Sequence, residues 1–142
     1  MSPYKTILLA VNPNEGDARN LIKKACGIAA FHQAKLHLAY VEPGVGDHSY
    51  NDIEFGLAEY GEEISEQRLS HLASLAKDAG YEIAAFHMAR GDVARQVKKL
   101  NNELGVDLVI SGHHHHHMGW LTGDIGAELS KKLDRDLLLI KA

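Results

Sequence analysis

A doubly wound α/β sandwich, with a five-stranded parallel sheet and four helices, is the fold class this sequence predicts. Three observations carry it. Short apolar runs alternate with longer stretches of helical period through the 142 residues, the pattern of βαβ units around a parallel sheet. The runs YKTILLAV and DLVISG are almost continuously apolar, as strands covered by helices on both faces are. No linker or internal repeat interrupts the pattern, so residues 1–142 read as one domain with a single sizeable core.

The first strand runs from Tyr4 to Val11 and is stopped by Asn12 and Pro13. Helix one starts near Asn14 to Asp17 and places Ala18, Leu21, Ile22, Ala25, Cys26 and Ala29 on one buried face. Strand two, AKLHLAYVEP, alternates Leu36, Leu38 and Tyr40 with Lys35, His37 and Ala39, which suits a position nearer the sheet edge. A turn-rich stretch follows, and helical period then holds from about Asp52 through Ala79 until Gly80 stops it as a C-cap; Ile64, Leu69, Leu72, Leu75 and Ala76 form its stripe. Strand three is YEIAAFHM, and Arg90, Gly91 and Asp92 turn into helix three, with Asp92 as N-cap ahead of Val93, Val97, Leu100 and Leu104. Strand four is DLVISG. Beyond a histidine-rich loop, Ile125, Leu129 and Leu133 mark a short helix, and DLLLIKA closes the sheet as strand five.

Composition narrows the function. With 15 Lys and Arg against 19 Asp and Glu the chain carries a formal charge of −4, and it has no basic stripe, so nucleic acid is excluded as a partner. The one cysteine, Cys26, lies in an apolar helical pattern and packs as a small hydrophobe, as befits a reducing compartment. No apolar run is long enough to span a membrane, and the opening MSPYKTILLAVNP lacks the features of a secretory leader. A cytoplasmic, soluble protein is expected.

In an open parallel sheet, ligands bind beyond the carboxyl ends of the strands, where successive connections turn to opposite faces. If the chain winds outward from strand one and back across it to strand four, that point lies between strands one and four. It is flanked by Asn12 and Asn14 on one side and by Gly112 and SGHHHHHMGW on the other. YKTILLAVNP, LAYVEP, GDVARQV and VDLVISGHH, in that order and spacing, resemble the universal stress protein A family end to end. DLVISGHH is most similar to its branch that does not bind nucleotide. The resemblance implies strand order 3-2-1-4-5, a homodimer, and a regulatory or protective role in the stress response without catalysis.

Nucleotide-binding members of that family share an Asp at the end of strand one and a glycine-rich phosphate loop after strand four. Here position 12 is Asn, and the residues three and thirteen places beyond Gly112 are His115 and Ile125. Glycines let backbone N–H groups close around phosphate, and a helix N-terminus adds favourable partial charge; five imidazoles offer no such approach. No cofactor is therefore expected. ATP is the alternative ligand, held by Asn12, Val41, Gly91, Gly112, Gly123 and Gly126, as in a sensor or weak ATPase.

The run His113, His114, His115, His116 and His117 has three readings. It is a solvated loop with incidental affinity for a divalent transition metal, a true metal-responsive site, or a tag grafted into a permissive loop. The first is preferred, because consecutive residues on one loop do not converge from separate positions with second-shell support, and no Cys pair or HExxH accompanies them. His37 and His87 occur within strands and are assigned no role. No catalytic constellation emerges. Strand five, with Leu137, Leu138, Leu139 and Ile140, has no helix after it to cover it, and as an edge it invites antiparallel pairing with its own copy across a two-fold axis. A homodimer and further protein partners are expected.

Overall fold

The computed structural model describes residues 3–43, 57–113 and 125–141. Among them run β1 (Thr6–Ala10), α1 (Ala18–His32), β2 (Lys35–Pro43), α2 (Leu57–Lys77), β3 (Ile83–Gly91), α3 (Val93–Leu104), β4 (Leu108–His113), α4 (Ile125–Lys132) and β5 (Asp136–Lys141). The strands form one sheet in the order β3-β2-β1-β4-β5, and each neighbouring pair is parallel. The expected fold class and order are both observed.

Each face of the sheet carries its own core. On one, Ile7, Leu9, Leu36, Leu38 and Ile110 pack with Leu21, Ile22, Ala25 and Cys26 of α1 and with Leu72 and Ala76 of α2. On the other, Leu8, Ala39, Val41 and Val109 pack with Ala94 and Val97 of α3 and Leu129 of α4. This two-sided burial is why the central strands read as continuous apolar runs. Cys26 is free and buried, and burial pushes its thiol pKa up, which keeps it an unreactive packing residue.

Some boundaries differ from the sequence reading. β2 lies nearer the edge than β1, as expected, yet it sits between β1 and β3, and Leu36, Leu38 and Ala39 are all fully buried. The α2 helix ends at Lys77; an Ala79 to Ala76 turn follows, and Gly80, at φ +80°, takes the left-handed conformation beyond it. β3 continues through Ala89, Arg90 and Gly91, because Val41, Glu42 and Pro43 of β2 give those residues ladder partners.

The β2/β3 ladder contains an irregularity. Leu36 pairs with Ile83, but His37 pairs with Ala85, so Ala84 is an extra residue on β3. Residues directly opposite in a parallel pair share a face. The insertion therefore moves every later β3 residue to the other face relative to an uninterrupted ladder.

At the opposite end of the sheet, one carboxylate joins two central strands. Asp107 Oδ2 accepts from the backbone N–H groups of Lys5 and Thr6 at 2.9 and 3.0 Å, while the Asp107 N–H donates to the Thr6 carbonyl at 2.8 Å. Charge-assisted bonds to backbone donors are the stronger kind, discounted here for partial exposure. Asp107→Ala is expected to lower the unfolding free energy by about 1.5 kcal/mol, and Asp107→Asn by less; equal midpoints for Asp107→Ala and wild type in urea would contradict this.

Candidate functional site

The carboxyl ends of the strands form a rim. Ala10 stands opposite Ala39 on one side and Ser111 on the other, so the chain beyond β1 emerges between the ends of β2 and β4. That is the predicted switch point. Val41, Gly91 and Gly112 all lie at or near strand ends on this rim: Val41 is buried, Gly91 pairs with Pro43, and Gly112 pairs with Ile140. Gly126 is in the first turn of α4. Gly123 lies outside the described residues, as do His114, His115, His116 and His117; of His113 the backbone is described, as the last residue of β4.

Asn12 is half-buried. Its Oδ1 accepts from the Asn14 N–H at 2.9 Å, an Asx turn that folds the amide back onto its own loop. Asn14 is then tied to α2, accepting a 3.3 Å bond from Arg68 Nη1. Arg68 Nε lies 4.0 Å from Glu42 Oε2, and neither of these two buried atoms makes a hydrogen bond. The nearby Tyr40 hydroxyl has its pKa raised, first by burial and then by the Glu42 carboxylate, with Arg68 acting in the opposite sense. The mouth of β1 and β2 is thus occupied by the protein's own polar side chains.

Gly91 has φ +127°, a conformation that favours glycine, and a Cβ there would stand 3.4 Å from Gln96 Nε2. Its position is explained by the corner it turns. Asp92 caps α3 as expected, its Oδ2 accepting from the Arg95 N–H at 3.0 Å, and it also lies 3.6 Å from Lys132 Nζ of α4.

β5 is the second edge of the sheet. Leu137 and Ile140 are half-buried, whereas Leu138 and Leu139 are 38% and 37% exposed. Phe31, exposed to 84%, borders a groove with Ile28 and Ile140.

One pair escaped the sequence reading. His37 Nδ1 and His87 Nε2 are 3.0 Å apart across β2 and β3, and both imidazoles have lowered pKa values, burial being the first cause for each. Only the register brings them together, and the register turns on Ala84, which carries no sequence signal. Among the described residues, no group of three or more His, Cys, Asp or Glu converges as a metal site, and no helix is long and apolar enough to cross a membrane.

The profile of the universal stress protein family matches residues 3–141. The chain belongs to this family. Among curated universal stress proteins, the universal stress protein A homolog of Haemophilus influenzae is 32% identical over 111 residues, covering 78% of each chain. A solved universal stress protein in complex with cAMP superposes with a TM-score of 0.69 at 21% identity over 97% of both chains. That of Archaeoglobus fulgidus, in complex with dAMP, gives 0.64 at 17% identity over 97% of this chain and 98% of the other. Likeness at these identities speaks for the fold, and family membership supports a role in the stress response.

Proposed function

We propose that this universal stress protein acts in the cytoplasm as a homodimer, through protein partners and without binding nucleotide or catalysing a reaction. The observation that carries this reading is the state of Asn12. A neutral amide stands at the mouth of the crevice, and one lone pair of its oxygen is already engaged by its own loop, so it offers a sugar hydroxyl no carboxylate and only a partly used carbonyl. The apolar edge of β5, with Leu138 and Leu139 exposed, supports self-association.

Calorimetric titration with ATP, cAMP and dAMP up to about 1 mM is expected to give no heat of binding. Micromolar affinity, or nucleotide carried through purification, overturns the reading. A second reading is favoured by the complexes of its structural neighbours with cAMP and dAMP: a nucleotide sensor or weak ATPase using Asn12, Val41, Gly91, Gly112, Gly123 and Gly126. Slow phosphate release from ATP, abolished by Gly123→Val with Gly126→Val, would support that alternative. A metal-responsive role for His113 to His117 is tested by changing all five to serine. Loss of metal affinity with unchanged complementation of a deletion strain would make that affinity incidental.

A further inference from the structure

The two imidazoles of His37 and His87 meet end to end. Their ring centroids are 5.2 Å apart with planes tilted by 31°, while the facing nitrogens are 3.0 Å apart; a separation so much longer than the N···N gap means the rings point at each other instead of stacking. A metal ion fits this arrangement poorly. With metal–nitrogen bonds of about 2.0–2.1 Å, a linear ion needs the nitrogens about 4 Å apart, and an ion at a right angle needs lone pairs that converge beside the gap. A single proton fills it. Whichever nitrogen carries the hydrogen, one N–H is directed at one lone pair across the two strands.

We propose that His37 and His87 form a proton-operated clasp, which holds the edge strand β3 to the sheet while the pair carries at most one net charge and releases it when a second proton arrives. The first added proton goes to the outward nitrogen of the donor ring and leaves the N–H···N bond in place, now charge-assisted. The second has only the facing nitrogen of the acceptor ring. It sets two N–H groups head to head and two cations side by side, an arrangement a half-buried site disfavours.

The charged groups around the pair set its working point. On β2, Lys35 disfavours protonation of His37, adding to burial and to the charge of His87. From α3, Glu103 opposes the effect of burial at His87. Because both folded-state values lie below the ordinary imidazole value of about 6.5, the fold prefers the less protonated pair. The pair's contribution to stability is complete above that unfolded value and is lost as the pH falls through the lowered folded values, the clasp itself opening with the second of the two protons.

The location gives the device something to act on. Among the described residues β3 has a neighbour on one side only, so its ladder to β2 is its sole strand pairing there, and it delivers Gly91 and the α3 cap Asp92 to the carboxyl rim. Acid would loosen that corner while β1 and β4, paired on both sides, hold.

Hydrogen exchange tests this on the intact protein, read by mass spectrometry at about pH 7.5 and about pH 5.5 and corrected for the intrinsic chemical rate. Protection of the peptide covering Ile83 to Gly91 is expected to fall by up to about tenfold for each imidazole whose folded pKa is depressed, with peptides from β1 and β4 changing little. The double variant His37→Gln/His87→Gln should lose this selective response. Glu103→Gln, on the exposed side of α3, should shift it to lower pH. Equal protection of β3 at both pH values, the same acid response in the double variant, or imidazole resonances that titrate independently at the ordinary value would each overturn the proposal.

Discussion

Changing both Leu138 and Leu139 to lysine is expected to convert the proposed dimer into a folded monomer. The two leucines are more than a third exposed on an edge strand, and an edge strand carries one row of N–H and C=O groups without a ladder partner within its sheet. Pairing of β5 with its own copy across a two-fold axis would satisfy that row and bury the leucines in one step. Successive strand residues point to opposite faces, so such a dimer buries Leu138 on one face and Leu139 on the other, each near its symmetry mate. Four lysines around one axis remove the apolar contact and add like-charge repulsion. At the scale of interface hot spots this corresponds to at least about 3 kcal/mol, or on the order of a hundredfold in Kd. Light scattering across a dilution series reads the mass, and circular dichroism establishes that the variant is folded. Leu139→Pro attacks the backbone as well and should yield monomer or aggregate. Wild-type protein that is monomeric at micromolar concentration would end the idea.

Replacing Asn101 with leucine is expected to stabilise the fold. Ala94, Val97 and Asn101 form the buried stripe of α3. Asn101 is only 1% exposed, and neither its Oδ1 nor its Nδ2 has a hydrogen-bond partner. A buried amide in that state costs about 1–3 kcal/mol, whereas leucine has a similar branched shape and a better helix propensity. The larger side chain brings some overpacking, so a net gain of about 1–2 kcal/mol is expected, or several degrees in Tm for a chain of this size. Asn101→Ala controls for size by removing both polar atoms without adding bulk. A fall in Tm for both variants would mean the amide is satisfied in solution and the premise is wrong.

The sequence announced its sheet through composition. Strands buried on both faces must be apolar at nearly every position, as Ile7, Leu8 and Leu9 or Val109 and Ile110 are, and that signal survives without knowledge of neighbours. The cap at Asp92 was legible for a similar reason, since an N-cap acts within three residues. What stayed hidden depends on alignment between distant segments. Arg90 and Gly91 read as a turn and became strand because β2 continues beside them. The histidine pair needed one inserted alanine to be placed on one face. Asn101 has no place in the buried stripe read from the sequence, and its burial emerges only when α3 is laid on the sheet. For the candidate site, its address at the ends of β1 and β4 was readable, and so was the missing carboxylate at position 12. The folding of that amide onto its own loop, and the tie from Asn14 to Arg68 and on to Glu42, were not.

Asp107 also bears on how the chain reaches its fold. The strand at the centre of the sheet precedes its four partners in the chain, and the bond from Thr6 to Asp107 closes a separation of 101 residues. β1 can pair with β2 soon after both emerge, yet its other edge has no mate until β4 appears. At about 5–20 residues per second, that interval lasts several seconds, during which a strand bearing Ile7, Leu8 and Leu9 presents an open side. Non-local pairing of this kind makes folding slow. The nascent chain is therefore exposed to aggregation at this side of β1 until β4 emerges, and a ribosome stalled before β4 would hold the hazardous species.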